Sequence, residues 1–219
     1  MSEHSNAVIC VDIQNDFVDG GSLAVPGALQ IIPNCNALAK KAVELKNNIV
    51  VTTRDWHPIN HISFASTHNE PLFSTKTLSE IGKQVMWPDH CIEKTSGAKY
   101  HSSFIFQDDF TEFKKGQSNK ADSYSGFGAE NKKFEETGLR SYLYLNNITR
   151  VFVCGISADY CVKFTAIDSK LYADIDTYFV TDATSSVFSE NDKKLYEELE
   201  SYGIILVNTK EALKLMQDL

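Results

Sequence analysis

Residues 150–171 read RVFVCGISADYCVKFTAIDSKL, and their order decides the fold. The first seven, RVFVCGI, are continuously apolar rather than alternating, which predicts a strand covered on both faces. From residue 159 to 171 the pattern turns helical, so a buried strand feeds straight into a helix, as in half of a βαβ unit. Working outward, similar apolar runs recur at 7–11 (AVICV), 48–53 (NIVVTT), 176–182 (DTYFVTD) and 203–208 (GIILVN), and FTEFKKG at 110–116 supplies a further strand. Helical patterns lie between them at 31–46 and 192–202, and a short one at 210–216 closes the chain. This alternation predicts an α/β fold: doubly wound, with a mainly parallel sheet and helices on both faces. No repeat, low-complexity tract or linker interrupts the 219 residues, which read as one domain, 1–219.

Composition excludes several classes of function. The chain carries 21 basic and 29 acidic residues, a formal charge of −8, and lacks the clustered Lys and Arg that a nucleic-acid partner requires. With 42% hydrophobic and 23% charged residues it matches an ordinary globular protein rather than a disordered one. No apolar run approaches the roughly 20 residues of a membrane helix, and MSEHSN at 1–6 has neither the basic start nor the apolar middle of a signal peptide. The five cysteines are an odd, scattered set with no C-x-x-C pair, a poor disulfide framework that suits a reducing compartment. A cytoplasmic protein without membrane or nucleic-acid partners is therefore expected, and self-association into a homo-oligomer is left open.

The stretch 54–99 breaks the strand–helix rhythm. It holds four of the six histidines, both tryptophans and three of the five prolines, and a connection this long is usually functional. It starts at a strand end, and in open α/β sheets ligands bind outside the carboxyl ends of the strands. Four such ends bear chemistry: Asp12 after the first strand, Asp55 and His57 after the second, Lys115 at the third, and Cys161 after the fourth. Cys161 falls in the first turn of a predicted helix, where N–H groups and the dipole favour a thiolate and offer an oxyanion hole. Its bland alternative is a small buried hydrophobe, the role read for Cys10 and Cys154. Asp12 ends an apolar strand, so it needs a partner; beside a thiol it can act as general base. Lys115 fits as that partner, because Lys114 should point to the opposite face. Asp55 and His57, two residues apart in an extended segment, point the same way, and His90 in WPDHC is the best third ligand. Such a mixed set suits zinc, with iron or manganese as alternatives. His61 and His68 are runner-up ligands, and Cys91 is read as packing because a fourth, thiolate ligand would close the site.

Taken in order, VDIQNDF, TTRDWHP followed by HISFA, WPDHC, KKG with DSYSGF, and GISADYCV resemble the signatures of nicotinamidases, members of the isochorismatase-like cysteine hydrolases. The resemblance covers residues 7 to about 207. It implies that Cys161 is the nucleophile, Asp12 the base and Lys115 the third member of a triad. It also implies that Asp55, His57 and His90 bind a divalent metal, with Ser63 approaching it. A cis peptide after Ile156 would let the N–H groups of Ser157 and Cys161 form the oxyanion hole, and Phe17, Trp87, Tyr124 and Tyr160 would wall a pyridine ring. The implied reaction is hydrolysis of nicotinamide to nicotinate and ammonia, in NAD salvage. A related amidase acting on another small substrate and an inactive binding scaffold are the rival readings. Ser157 and Asp159 sit at positions that differ among members, and nothing is drawn from them.

Overall fold

Period-two alternation along each central strand, with both sets of side chains buried, is what a sheet covered on two sides demands. The computed structural model describes residues 5–105 and 110–217; most of the MSEHSN stretch read for a signal peptide lies outside them. In chain order the elements are β1 (Asn6–Val11), α1 (Ala28–Glu44), β2 (Ile49–Asp55), α2 (Ala65–His68), β3 (Thr75–Leu78), β4 (Gly82–Val85), β5 (Thr111–Lys115), α3 (Leu139–Leu145), β6 (Arg150–Ile156), α4 (Lys163–Leu171), β7 (Asp176–Ser185), α5 (Asp192–Ser201), β8 (Ile205–Val207) and α6 (Thr209–Leu215). Six of the strands form one parallel sheet in the order β5-β2-β1-β6-β7-β8. On β1, Val8 and Cys10 face a core with Ile32, Cys35 and Leu38 of α1 and Ala212 of α6. Ala7, Ile9 and Val11 face the other core, with Leu139 and Leu143 of α3, Ala166 of α4 and Leu195 and Leu199 of α5. The doubly wound expectation therefore holds.

Three features differ from the sequence reading. The connection 54–99 is not wholly irregular: β3 and β4 pair as a small antiparallel hairpin. Helix α3 was not expected, because its apolar periodicity is scrambled: Leu139 and Leu143 are buried, while Tyr144 and Leu145 are 80% and 76% exposed. Cys161 lies not in an α-helical first turn but within a π-helical turn, Ala158–Val162, that precedes α4. The strand order changes direction at β1, which pairs with β2 on one side and β6 on the other. That switch point opens a crevice at the carboxyl ends of both strands. Gly155 keeps the strands close there: its φ is +117°, and a side chain would overlap the Val11 backbone.

Candidate active site

At this crevice the ladder itself sets two side chains against each other. Asp55 and Lys115 are register partners on β2 and β5. Lys115 is fully buried and Lys114 is 36% exposed, so the alternation selects Lys115 as expected. The Lys115 ammonium lies 2.8 Å from Asp12 Oδ2, is paired with Asp55 Oδ1, donates to the Ser123 carbonyl at 3.1 Å and stands 3.4 Å from Cys161 Sγ. Asp12 has φ +49°, which turns the chain out of β1, and its Oδ1 accepts from Thr53 Oγ1 at 2.7 Å. The three predicted triad residues thus come together in one buried cluster.

Charges in this cluster are set by burial first. It pushes Asp12 up to about 6, with Lys115 opposing and Asp55 adding to the rise. Burial also works against the Lys115 ammonium, but Asp12 and Asp55 outweigh it and hold the group well above its usual range. Asp55 would likewise rise on burial, yet Lys115 and His57 hold it well below the carboxylate range. The Cys161 thiol is pushed well up by burial, and Lys115 only partly offsets this. The expectation of a thiolate favoured by a helix N-terminus is therefore corrected: the buried turn keeps the sulfur protonated, and a base must take the proton. The Ile156–Ser157 peptide is cis.

Asp55, His57 and His90 form a buried group whose ligand atoms lie within 4.8 Å of one another. Asp55 Oδ2 is 3.6 Å from His57 Nε2 and 3.9 Å from His90 Nε2. The other ring nitrogens are occupied: His57 Nδ1 donates to the Gly116 carbonyl at 2.8 Å and His90 Nδ1 to the Pro88 carbonyl at 2.7 Å. Those bonds fix the tautomers and turn both Nε2 lone pairs toward Asp55, as metal-binding histidines require. Burial and the facing His57 bring His90 down to about 4, so it is neutral and able to ligate. One carboxylate, two imidazoles and room for further ligands fit a divalent metal.

Of the remaining candidates, His61 belongs with His57 and Asp122 to a second group whose ligand atoms lie within 4.8 Å of one another, and the others fall where packing puts them. His61 stacks on His57 at 4.0 Å, and its Nδ1 is bonded to Ser63 Oγ at 2.8 Å, so Ser63 is engaged with His61. His68 is bonded to the Ile62 carbonyl. Cys91 is fully buried and outside the metal group, as expected for packing. Two supports escaped the sequence reading. Gln14 brackets Asp55, its Oε1 accepting the Asp55 N–H at 2.8 Å and its Nε2 donating to the Asp55 carbonyl at 2.9 Å. Asp16 accepts the Cys91 N–H at 2.7 Å and so holds the turn that carries His90. Both lie in VDIQNDF, but nothing in that string shows that their partners are distant backbone groups.

A cleft opens onto Cys161 and the metal group. All four predicted aromatics line it, together with Leu23, Val25, Val187 and Asp122, which were not foreseen. Trp87 Nε1 donates to Tyr124 Oη at 2.9 Å and its ring meets Tyr160 edge-on at 4.8 Å, so the aromatic wall is cross-braced. Asp12 and Lys115 are fully buried and do not line the cleft; the Lys115 ammonium reaches the sulfur from within the protein.

Comparison with known proteins matches this arrangement to one family. The model of the isochorismatase domain matches residues 6–211. The chain is 37% identical over 209 residues to a nicotinamidase of Acinetobacter baylyi, with 94% of each chain covered. Among solved structures it is similar to a nicotinamidase/pyrazinamidase of Acinetobacter baumanii, with a TM-score of 0.87 and 34% identity over 96% of this chain and 99% of that one. A pyrazinamidase of Pyrococcus horikoshii in complex with zinc superposes with a TM-score of 0.77 at 35% identity, covering 93% of this chain and 99% of that one.

Proposed function

The chain belongs to the isochorismatase domain family, and from that premise we propose that it hydrolyses nicotinamide to nicotinate and ammonia, acting as one catalytic domain. The observation that carries this reading is the meeting, at one cleft, of the Asp12–Lys115–Cys161 cluster with the Asp55–His57–His90 group. A thiol beside a carboxylate suits acyl transfer; the metal group and aromatic wall suit a flat ring with a ring nitrogen.

Asp12 takes the Cys161 proton, and the thiolate adds to the carboxamide carbon. The N–H groups of Ser157 and Cys161 receive the oxyanion. The C–N bond breaks as Asp12 passes its proton to the leaving nitrogen, which departs as ammonia and leaves a thioester on Cys161. Asp12 then takes a proton from water while the water oxygen adds to the thioester carbon. The C–S bond breaks and the sulfur recovers the proton. Lys115 remains an ammonium throughout; it neutralises Asp55 and steadies the negative charge that moves between Asp12 and Cys161. Phe17, Trp87, Tyr124 and Tyr160 stack against the pyridine ring and fix the carboxamide near the sulfur. A zinc ion held by Asp55, His57 and His90 supplies, when bound, a Lewis acid for the pyridine nitrogen; iron or manganese suits the same donors. The product is an acid that feeds NAD salvage.

Substrate comparison tests this reading. Nicotinamide and pyrazinamide, which share the ring nitrogen and carboxamide, should both release ammonia, whereas straight-chain aliphatic amides should be poor. A comparable kcat/KM for an aliphatic amide would make the chain a general amidase.

A further inference from the structure

The loop that follows β5, residues 116–123, is closed by a carboxylate from further along the chain. Half-buried Glu135 accepts the Gly116 N–H on Oε2 at 2.8 Å, the Ser123 hydroxyl on the same oxygen, and the Gln117 N–H on Oε1 at 2.9 Å. Both ends of the loop therefore meet on one group, through hydrogen bonds strengthened by its charge. Each end serves a different part of the site. The Gly116 carbonyl receives the His57 Nδ1 proton at 2.8 Å, and Gly116 sits so close beneath the imidazole that a Cβ there would overlap the ring. The Ser123 carbonyl receives the Lys115 ammonium at 3.1 Å. Glu135 itself does not line the cleft.

We propose that Glu135 is a positioning residue, setting the metal-facing orientation of His57 and the seat of the Lys115 ammonium from outside the cleft; this rests on the function proposed above. No protein cation is paired with Glu135 among the described ion pairs, so backbone and hydroxyl donors are its partners. Glutamine is the right probe because it is isosteric but offers one acceptor oxygen and an NH₂ against three donors. At least one end of the loop then loses its acceptor.

The test compares the native chain with Glu135→Gln and Ser123→Ala. Zinc affinity is read by competition with a chromophoric chelator, kcat and KM by ammonia release at saturating zinc, and folding by thermal melting. Glu135→Gln should weaken zinc binding by about 10- to 100-fold, as loss of support behind a ligating histidine does, and lower kcat by about tenfold with KM nearly unchanged. Ser123→Ala removes only the link toward Lys115, so it should lower kcat while zinc affinity stays native; it also serves if Glu135→Gln does not fold. A fall in melting temperature alone, with zinc affinity and kcat native in both variants, would overturn the proposal. If the native chain releases no ammonia from nicotinamide, the functional reading fails, while the zinc measurement, which needs no turnover, still decides the role of Glu135.

Discussion

The strand ends and the long connection build the two sides of one cleft by different means. Asp55 and Lys115 face each other because parallel pairing puts them in register, and Asp12 and the Cys161 turn follow adjacent strands at the switch point. His90, Trp87 and the loop after Lys115 lie outside the main sheet: Trp87 exchanges single backbone hydrogen bonds with Ser63 and Ala65, while Asp16 captures the backbone of the turn that carries His90 and Glu135 captures the loop. The strand side tolerates no missing charge, because its groups are buried and mutually neutralising. The connection side depends on many single hydrogen bonds, each worth about 0.5–1.5 kcal/mol, or more when charged.

This contrast breaks most sharply at Lys115. Lys115→Met leaves the carboxylates of Asp12 and Asp55 buried without their common cation. Denaturant unfolding should show a loss of about 3–5 kcal/mol, and kcat should fall by about 10²- to 10⁴-fold. A variant with native stability would mean that the two carboxylates are not held by this ammonium.

The connection side is probed by His90→Ala or chelation, read on two substrates. Nicotinamide should lose about 100-fold in kcat/KM, equivalent to about 2.7 kcal/mol, because its ring nitrogen loses its anchor. Benzamide has no such nitrogen; it should be poor with the native site and little worse afterwards. An equal loss for both compounds refutes the anchoring role, and a parallel fall in melting temperature would make the metal structural.

A pH profile returns to the strand side. Asp12 must be ionised to take the Cys161 proton, and its carboxyl is pushed up from 3.8 to about 6. Since the base is lost on protonation, kcat/KM should be level above this value and fall as pH drops through it, reaching about a tenfold loss one unit below. A profile that stays level to pH 4 would show that Asp12 is not the base. The smallest effect is expected at Cys91, on the connection side. Cys91→Ala should keep kcat and zinc affinity within about twofold of native, with a modest cavity cost in melting temperature. Loss of metal would show that the thiol ligates.

What the sequence discloses follows the same division. Continuous apolar runs give the central strands, and strand ends give Asp12, Asp55, Lys115 and Cys161, because period and polarity survive in a one-dimensional string. His90 was reached as the best third ligand for the Asp55–His57 pair, but the aromatic wall only through motif resemblance, since spacing alone does not say which turn brings Trp87 against Tyr160. Gln14, Asp16 and Glu135 stayed hidden: their partners are backbone groups 41, 75 and 19 residues away, and backbone groups leave no mark in a sequence. The state of Cys161 was misread for a related reason, since burial on all sides is a tertiary property that a helix-start pattern does not contain.

The central claim is a thiol that does covalent chemistry on nicotinamide, and one assay addresses it directly. Ammonia and nicotinate are followed together for the native chain and for Cys161→Ala, both loaded with zinc and both checked by thermal melting. The native chain should release the two products in equal amounts. Cys161→Ala should melt with the native protein, still bind nicotinamide, and show turnover at least about 10⁴-fold lower, because only the nucleophile is gone. Turnover by Cys161→Ala at a rate near native would contradict the account.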